Sequence, residues 1–126
     1  MAHILLVDDD DLFRDMVLAM LERLGHTVLI ARNGNEALAR FAEERADLVI
    51  TDLIMPDKEG LQTIRELHQA ARDLPIIAMS GGGRNNPEVY LKTARTMGAV
   101  AVLTKPFSFK QLASAINSAL PHPPPA

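Results

Sequence analysis

The chain has 126 residues and a mass of 13.8 kDa, which is the length of one domain rather than two. Hydrophobic residues make up 48% of the sequence and charged residues 23%, proportions that exclude disordered, collagen-like and coiled-coil chains. The formal net charge of −3 argues against nucleic acid as the main partner. The absence of cysteine excludes disulfides and thiolate chemistry and favours a reducing cytoplasm as the location.

No apolar stretch approaches the roughly 20 residues that a membrane-spanning helix needs. The uncharged segment Thr96–Thr104 is too short, and the segment after Lys110 is interrupted by polar residues and prolines. The chain begins Met1-Ala2-His3 and runs directly into an apolar strand, so no signal peptide is visible. We therefore expect a domain without a membrane partner.

Short apolar runs alternate with helical patterns along the chain. Five continuous runs rich in Val and Ile predict parallel strands covered on both faces. These runs are Ile4–Val7, Val28–Ile30, Leu48–Ile50, Ile76–Met79 and Val100–Leu103. Apolar residues at three-to-four spacing predict five helices. These are Leu12–Leu24, Ala37–Phe41, Leu61–Leu67, Val89–Met97 and Phe109–Leu120.

Local signals mark the ends of several predicted helices. Gly25 and Gly98 follow helical patterns and predict helix stops. Ser108 with Gln111 three residues later predicts a capping box at the start of the last helix. The segment 121–126 has four prolines in six residues and cannot continue that helix, so we expect a domain over residues 1–120 and a proline-rich tail.

The alternation of strands and helices predicts a parallel sheet with helices on both faces and right-handed crossovers. In such sheets, ligands lie beyond the carboxyl ends of the strands. Acidic, hydroxyl or ammonium side chains follow the first, third, fourth and fifth strands, whereas Ala31-Arg32-Asn33-Gly34 after the second strand offers no carboxylate. This distribution is what a sheet of order 2-1-3-4-5 would produce, with the second strand at an edge.

The polar groups at these four strand ends are expected to form one site. They are the acidic run Asp8–Asp11, Asp52, Ser80 and Lys105. Each has an ordinary interpretation by itself, because acids favour helix N-termini and an Asp at a strand end commonly caps a turn. Gathered at one edge, however, Asp8, Asp9 and Asp52 would repel one another, and a bound cation would remove that cost.

Carboxylate ligands favour a hard divalent ion such as Mg²⁺. The four histidines are scattered without ligand spacing, and we expect them to be structural or on the surface. A Mg²⁺ ion beside Ser80, Lys105 and the backbone near Gly81 is suited to a phosphoryl group. Neither Gly-x-x-x-x-Gly-Lys nor Gly-x-Gly-x-x-Gly occurs, which argues against a bound nucleotide.

From Ile4 to about Leu120, the sequence resembles a receiver domain of a two-component response regulator, similar to the single-domain chemotaxis type. Four motifs carry the resemblance. They are Asp8-Asp9, Asp52-Leu53-Ile54-Met55-Pro56 followed by Gly60, Ser80, and Lys105-Pro106-Phe107. The resemblance implies an α/β fold of the (βα)5, flavodoxin-like type.

The resemblance also implies roles for these residues. Asp52 would be the phosphoacceptor for a sensor histidine kinase or a histidine phosphotransfer protein, assisted by Ser80 and Lys105. Asp9, Asp52 and the backbone carbonyl of Ile54 would hold Mg²⁺, with Asp8 acting directly or through water. Phosphorylation would alter the face formed by the fourth helix, fifth strand and fifth helix, which a downstream protein would recognise. Such a domain catalyses only its own phosphorylation and dephosphorylation, so we do not expect an enzyme in the usual sense.

One position departs from the family pattern. Val102 stands three residues before Lys105, where most members of the family carry an aromatic residue that turns inward. The loop Gly81–Asn86 is also rich in residues that tolerate varied backbone dihedral angles. We hypothesise that switching depends more on ordering this loop than on rotation of a ring.

Two alternatives use the same residues differently. The segment around Asp8 loosely fits the Asp-x-Asp nucleophile motif of haloacid dehalogenase-type phosphatases. That family needs a further acidic pair after its lysine, whereas residues 107–110 are Phe-Ser-Phe-Lys, and Asp52 would have no role. The second alternative is a pseudo-receiver that only binds partners, although every key position carries a chemically competent group.

Overall fold

The computed structural model describes residues 2–53, 60–81, 92, 94–96 and 98–120. The strands in this part of the chain are β1 (His3–Val7), β2 (Thr27–Ala31), β3 (Leu48–Asp52), β4 (Ile76–Gly81) and β5 (Ala101–Lys105). The helices are α1 (Asp11–Arg23), α2 (Gly34–Glu43), α3 (Gly60–Ala70) and α4 (Phe109–Ala119). Residues 92 and 94–96 are also helical and belong to the fourth predicted helix. The remainder of that helix, Ile54, positions 82–86 and the tail 121–126 lie outside the described residues.

All five strands run parallel in one sheet, in the order β2-β1-β3-β4-β5. This order confirms the topology predicted from the residues that follow each strand. Val7 at the end of β1 pairs with Thr51, and Asp52 at the end of β3 pairs with Met79. The carboxyl ends of the central strands are therefore level with one another, and the residues that follow them meet at one edge.

Two apolar layers cover the faces of the sheet. Alternate residues of β1 enter opposite layers, with Leu5 and Val7 on one side and Ile4 and Leu6 on the other, all fully buried. Helices α2 and α3 cover the first layer, and α1 and α4 cover the second. Since burying one such side chain contributes about 1.5–3 kcal/mol, these layers hold the central strands and their ends firmly in place.

The two outer strands are covered on both faces as predicted, since each has residues packed against both apolar layers. Most residues of β2 and β5 are only partly buried, because each has a neighbouring strand on one side only. The fifth strand begins at Ala101 rather than at Val100, whose side chain is 57% exposed. The apolar pattern of α1 likewise includes an exposed residue, Leu12, at 85%.

The signals for helix ends are confirmed. Gly25 and Gly98 have φ angles of 90° and 112°, in the left-handed region that favours glycine. The backbone N–H of Gln111 donates to Ser108 Oγ at 3.0 Å, and the N–H of Ser108 donates to Gln111 Oε1 at 2.8 Å, so the capping box is formed. Within the described ranges, none of the helices combines the length and hydropathy needed to cross a bilayer.

Candidate functional site

The carboxyl ends of four strands bring together Asp8, Asp52, Ser80 and Lys105. Asp8 follows β1, Asp52 ends β3, and Ser80 and Lys105 lie at the ends of β4 and β5. The side chains of Asp8, Asp52 and Ser80 are almost completely buried, with residue exposures of 0%, 6% and 1%. Buried carboxylates are costly unless they are paired or bind a cation, so their position indicates a constructed site rather than a solvated loop.

Lys105 connects the two buried carboxylates. Its Nζ donates hydrogen bonds to Asp8 Oδ2 at 2.8 Å and to Asp52 Oδ2 at 3.1 Å. Burial by itself lowers the pKa of Lys105, but the hydrogen bonds and negative charges of Asp8 and Asp52 outweigh burial and raise that pKa above its ordinary value. The side chain is therefore a cation at neutral pH, held by two acids.

Three carboxylates form a compact cluster at the same edge. One oxygen each from Asp8, Asp9 and Asp52 lies within 4.8 Å of the other two. Asp9 is exposed, whereas the other two are buried, so the cluster opens to solvent on the side of Asp9. Lys105 contributes one positive charge against three negative charges, and a divalent cation would supply the other two. Carboxylate oxygens are also the ligands that Mg²⁺ prefers, so the donor set fits that ion.

The next two acids of the run belong to helix α1 instead. Asp10 is the N-cap, and its Oδ1 accepts a hydrogen bond from the backbone N–H of Phe13 at 3.1 Å. Asp11 accepts a hydrogen bond from the Arg14 guanidinium at 2.7 Å. The ordinary interpretation of acids before a helix therefore applies to Asp10 and Asp11, and the cluster takes Asp8 and Asp9.

Arg14 is a buried residue of the site that the sequence analysis missed. Its exposure is 9%, and one guanidinium nitrogen donates to the backbone carbonyl of Asp8 at 3.0 Å. The backbone N–H of Asp8 in turn donates to the carbonyl of Ala31 at 3.1 Å. These contacts fix the backbone of Asp8, and the only signal in the sequence is an arginine inside the apolar pattern of a helix.

Gly60 sets the distance between helix α3 and the backbone of Asp52. A Cβ atom at this position would lie 2.2 Å from the Asp52 carbonyl oxygen and 2.4 Å from Leu53 Cα. The Gly60 N–H donates to the Leu53 carbonyl at 2.9 Å, so the close approach includes a hydrogen bond. Glycine is therefore required here by space rather than by an unusual backbone dihedral angle.

Among the described residues, the site also contains a hydroxyl and two aromatic rings. Ser80 Oγ lies 3.5 Å from the carbonyl of Gly81, at the long limit of a hydrogen bond, so its hydroxyl can donate to a ligand instead. The Phe13 ring lies against Lys105, with Nζ 4.4 Å from the ring centroid. Phe107 meets Phe13 edge-on, with centroids 5.5 Å apart and an interplanar angle of 89°. Val102 on β5 is partly buried.

Comparisons with known proteins agree with this geometry. The family model described as the response regulator receiver domain matches residues 4–117. The chain is 38% identical over 126 residues to the DNA-binding transcriptional regulator NtrC of Azospirillum brasilense, covering 99% of this chain and 26% of NtrC. It is 35% identical over 122 residues to protein PilH of Pseudomonas aeruginosa, covering 95% of this chain and 98% of PilH.

A solved structure shares the fold over nearly the same length. The chemotaxis protein CheY4 of Vibrio cholerae superposes with a TM-score of 0.85 at 30% sequence identity, covering 95% of this chain and 99% of CheY4. The chain thus spans about a quarter of NtrC and nearly the full length of PilH and CheY4.

Proposed function

This chain belongs to the receiver domains of two-component response regulators, and we propose that Asp52 is its phosphoacceptor. Receiver domains interact with histidine kinases or phosphotransfer proteins, and the phosphoryl donor here would be a phosphohistidine of one of these. One observation carries the proposal: Lys105 donates hydrogen bonds to both Asp8 and Asp52 beside the three-carboxylate cluster. We place the domain at residues 1–120, followed by the tail 121–126.

The acidic cluster would hold Mg²⁺, the ion that receiver domains generally bind at such a pocket. Asp9 and Asp52 would be ligands together with the carbonyl of Ile54, which lies outside the described residues, and Asp8 would act directly or through water. When bound, Mg²⁺ would supply positive charge that keeps the carboxylates ionised and stabilises phosphoryl oxygens. The ligand atoms of Asp8, Asp9 and Asp52 already lie close enough to share one ion.

The transfer would be carried by three side chains. An Asp52 carboxylate oxygen attacks phosphorus and forms a P–O bond while the P–N bond to the donor ring breaks. The ring, protonated on its other nitrogen, takes the electron pair and leaves as neutral imidazole. The Lys105 ammonium, now bonded to Asp52 Oδ2, would donate to a phosphoryl oxygen as negative charge moves onto it. The Ser80 hydroxyl would donate to a second phosphoryl oxygen.

A downstream protein would recognise the phosphorylated domain at the face formed by the fourth predicted helix, β5 and α4. Val102 lies on β5 within this face and offers no ring that could turn. The hypothesis that a loop orders instead concerns Gly81–Asn86, of which Gly81 alone is among the described residues. We expect a downstream protein to bind this face in the cytoplasm, where histidine kinases present their phosphoryl groups.

Exposure favours Asp52 over Asp8 as the acceptor, since Asp52 is 6% exposed and Asp8 is completely buried. Both oxygens of Asp8 accept hydrogen bonds, from Lys105 Nζ at 2.8 Å and from the backbone N–H of Asp10 at 3.0 Å. Its residue exposure is 0%, so an incoming phosphorus atom would have to displace these donors. A phosphatase that uses Asp8 as nucleophile and a binding module without phosphorylation remain as outcomes of the test.

The test uses a small phosphodonor and intact-protein mass spectrometry. With Mg²⁺ and acetyl phosphate, we expect the wild type to gain one phosphoryl group and Asp52→Asn to gain none, while chelation of Mg²⁺ prevents the gain in the wild type. Asp73→Asn, an exposed acid before β4, is the matched control and should behave as the wild type. Turnover of the donor that depends on Asp8 but not on Asp52 would support the phosphatase, and no gain in any variant would support the binding module.

A further inference from the structure

The face of the Phe13 ring contacts the Lys105 ammonium, which joins Asp8 and Asp52. An ammonium has three N–H donors, and two of those on Lys105 are used in the hydrogen bonds to the two carboxylates. The Phe13 centroid lies 4.4 Å from Nζ, well inside the range of about 6 Å over which a cation is attracted to an aromatic face. The ammonium therefore contacts two anions and a ring, and the Lys105 side chain is 16% exposed.

Phe13 is itself fixed at its backbone and at its ring. Its N–H donates to the Asp10 carboxylate that caps helix α1, which ties the residue to the acidic run. Its ring is met edge-on by Phe107, a buried residue that follows Lys105-Pro106. Edge-to-face contacts of this kind are favourable because the positive ring edge meets the negative face. The Phe13 ring is thus held against Lys105 by neighbouring groups and is not a freely rotating surface side chain.

We propose that Phe13 is a positioning residue for the phosphorylation of Asp52, whose ring holds the Lys105 ammonium between Asp8 and Asp52 and excludes water from it. The proposal rests on the proposed function of Asp52. An aromatic face attracts the cation without offering a lone pair that would compete strongly with an anionic acceptor. The ammonium can therefore move its hydrogen bond from Asp52 to a phosphoryl oxygen while it keeps its place.

Three variants separate the effect of the aromatic face of Phe13 from the effect of its side-chain volume. Phe13→Leu keeps an apolar side chain but removes the aromatic face, and Phe13→Tyr retains the face. Phe109→Leu is the matched control, because the Phe109 ring lies 4.7 Å from the Arg23 guanidinium and so forms a similar contact between α1 and α4. Thermal unfolding of each variant establishes that it is folded before either measurement below.

The first measurement needs no phosphoryl group. Proton exchange with water at the ¹⁵N-labelled ammonium of Lys105, assigned by its loss in Lys105→Met, reports how well the group is shielded. We expect proton exchange to be about five-fold faster in Phe13→Leu, because the loss of a contact of about 1 kcal/mol corresponds to about a five-fold change in rate. Phe13→Tyr and Phe109→Leu should stay within about two-fold of the wild type, because each keeps the ring on Lys105.

The second measurement is the phosphorylation rate as a function of acetyl phosphate concentration. The ammonium stabilises charge that develops during transfer, so we expect the maximal phosphorylation rate of Phe13→Leu to fall about five-fold. The acetyl phosphate concentration that gives half of the maximal rate should change little. Phe13→Tyr should restore the rate, and Phe109→Leu should not lower it.

Equal behaviour of Phe13→Leu and Phe109→Leu in both measurements would overturn the proposal. So would slower phosphorylation of Phe13→Leu without faster ammonium exchange, because that result assigns the loss to helix α1 rather than to Lys105. If the wild type takes up no phosphoryl group while Phe13→Leu still exchanges faster, the proposed function fails and the holding of the ammonium by Phe13 is supported.

Discussion

The two edges of the sheet carry acidic residues under opposite conditions. At the carboxyl edge, Asp8 and Asp52 are buried, and Lys105 bonds to both. At the amino edge, the backbone N–H of His3 donates to exposed Asp47 at 2.9 Å, and the His3 ring contacts exposed Glu44. The acids of the amino edge are thus exposed and contact two different groups of His3, whereas Asp8 and Asp52 at the carboxyl edge are buried and share the Lys105 ammonium.

This difference separates a structural arrangement from a functional one. A pair such as His3 with Glu44, in which the carboxylate is exposed, contributes about 0–1 kcal/mol and creates no demand for another ligand. Buried like charges cost free energy in the absence of a cation, and the apolar layers on the two faces of the sheet provide the stability that offsets this cost. The carboxyl edge is therefore the one at which a bound cation or phosphoryl group would change the stability of the domain.

Substitution of the glycine behind Asp52 should have the largest effect on stability. Gly60→Ala places a Cβ 2.2 Å from the Asp52 carbonyl oxygen, and we expect about 3 kcal/mol of destabilisation together with weaker Mg²⁺ binding. Gly25→Ala, near the amino edge, has no neighbouring atom within 4 Å but a φ of 90°, and should cost about 1 kcal/mol without affecting Mg²⁺. Denaturant unfolding with and without Mg²⁺ measures both. Equal losses in the two variants would contradict the close packing described for α3.

Mg²⁺ should stabilise the domain through the carboxyl edge alone. At about 100 times its dissociation constant, a ligand that binds only the folded state adds about 2.7 kcal/mol. Thermal unfolding should show this gain in the wild type and in Asp47→Asn, and most of it should be lost in Asp9→Asn. A gain that depended on Asp47 as much as on Asp9 would place the cation at the wrong edge.

Removal of the Lys105 charge should cost about 2 kcal/mol at neutral pH, because it leaves the Asp8 carboxylate buried without its cation. The pKa of Lys105 is raised in the folded state, so its contribution is complete below the ordinary pKa of 10.5 and is lost as the pH rises through the raised value. The stability difference between wild type and Lys105→Met should therefore be constant from pH 7 to about 9 and narrow above pH 10.5. Exposed Lys110→Met is the control, and a difference that narrowed below pH 9 would contradict the assignment.

The smallest predicted change in the free energy of unfolding has opposite signs for acids at the two edges of the sheet. Without Mg²⁺, Asp9→Asn removes one of three neighbouring negative charges and should stabilise the domain by about 1 kcal/mol, the energy of two charges 4 Å apart in water. Asp47→Asn removes the charge of the carboxylate that accepts a hydrogen bond from the His3 N–H, and should destabilise the domain by about 0.5 kcal/mol. Urea unfolding in chelator measures both, and stabilisation by both substitutions would remove the distinction.

The topology of the site could be predicted because it depends on chain order. Parallel strands place all their carboxyl ends at one edge, so the residues at the ends of β1, β3 and β5 were expected to meet once the order 2-1-3-4-5 was inferred. Asp8, Asp52 and Lys105 are indeed in contact there. The extent of burial of the outer strands could not be predicted, because an apolar run does not reveal whether a strand has one neighbour or two.

The side-chain partners at the start of helix α1 could not be predicted in the same way. Leu12 and Phe13 fit the same apolar pattern, but Leu12 is 85% exposed and Phe13 lies on Lys105. The spacing of apolar residues identifies a helix and the side of it that is buried. It does not specify which side chain of another element contacts a residue in the first turn of that helix. The reach of Arg14 to the Asp8 carbonyl is equally a property of the folded geometry.

The most direct test of the account locates the phosphoryl group itself. The wild type is incubated with Mg²⁺ and acetyl phosphate, an aspartyl phosphate is reduced with borohydride to a stable homoserine, and fragments are sequenced by mass spectrometry. We expect homoserine at position 52, and none when Mg²⁺ is chelated beforehand. Homoserine at position 8 or 9, or an equal yield at position 52 without Mg²⁺, would contradict the account.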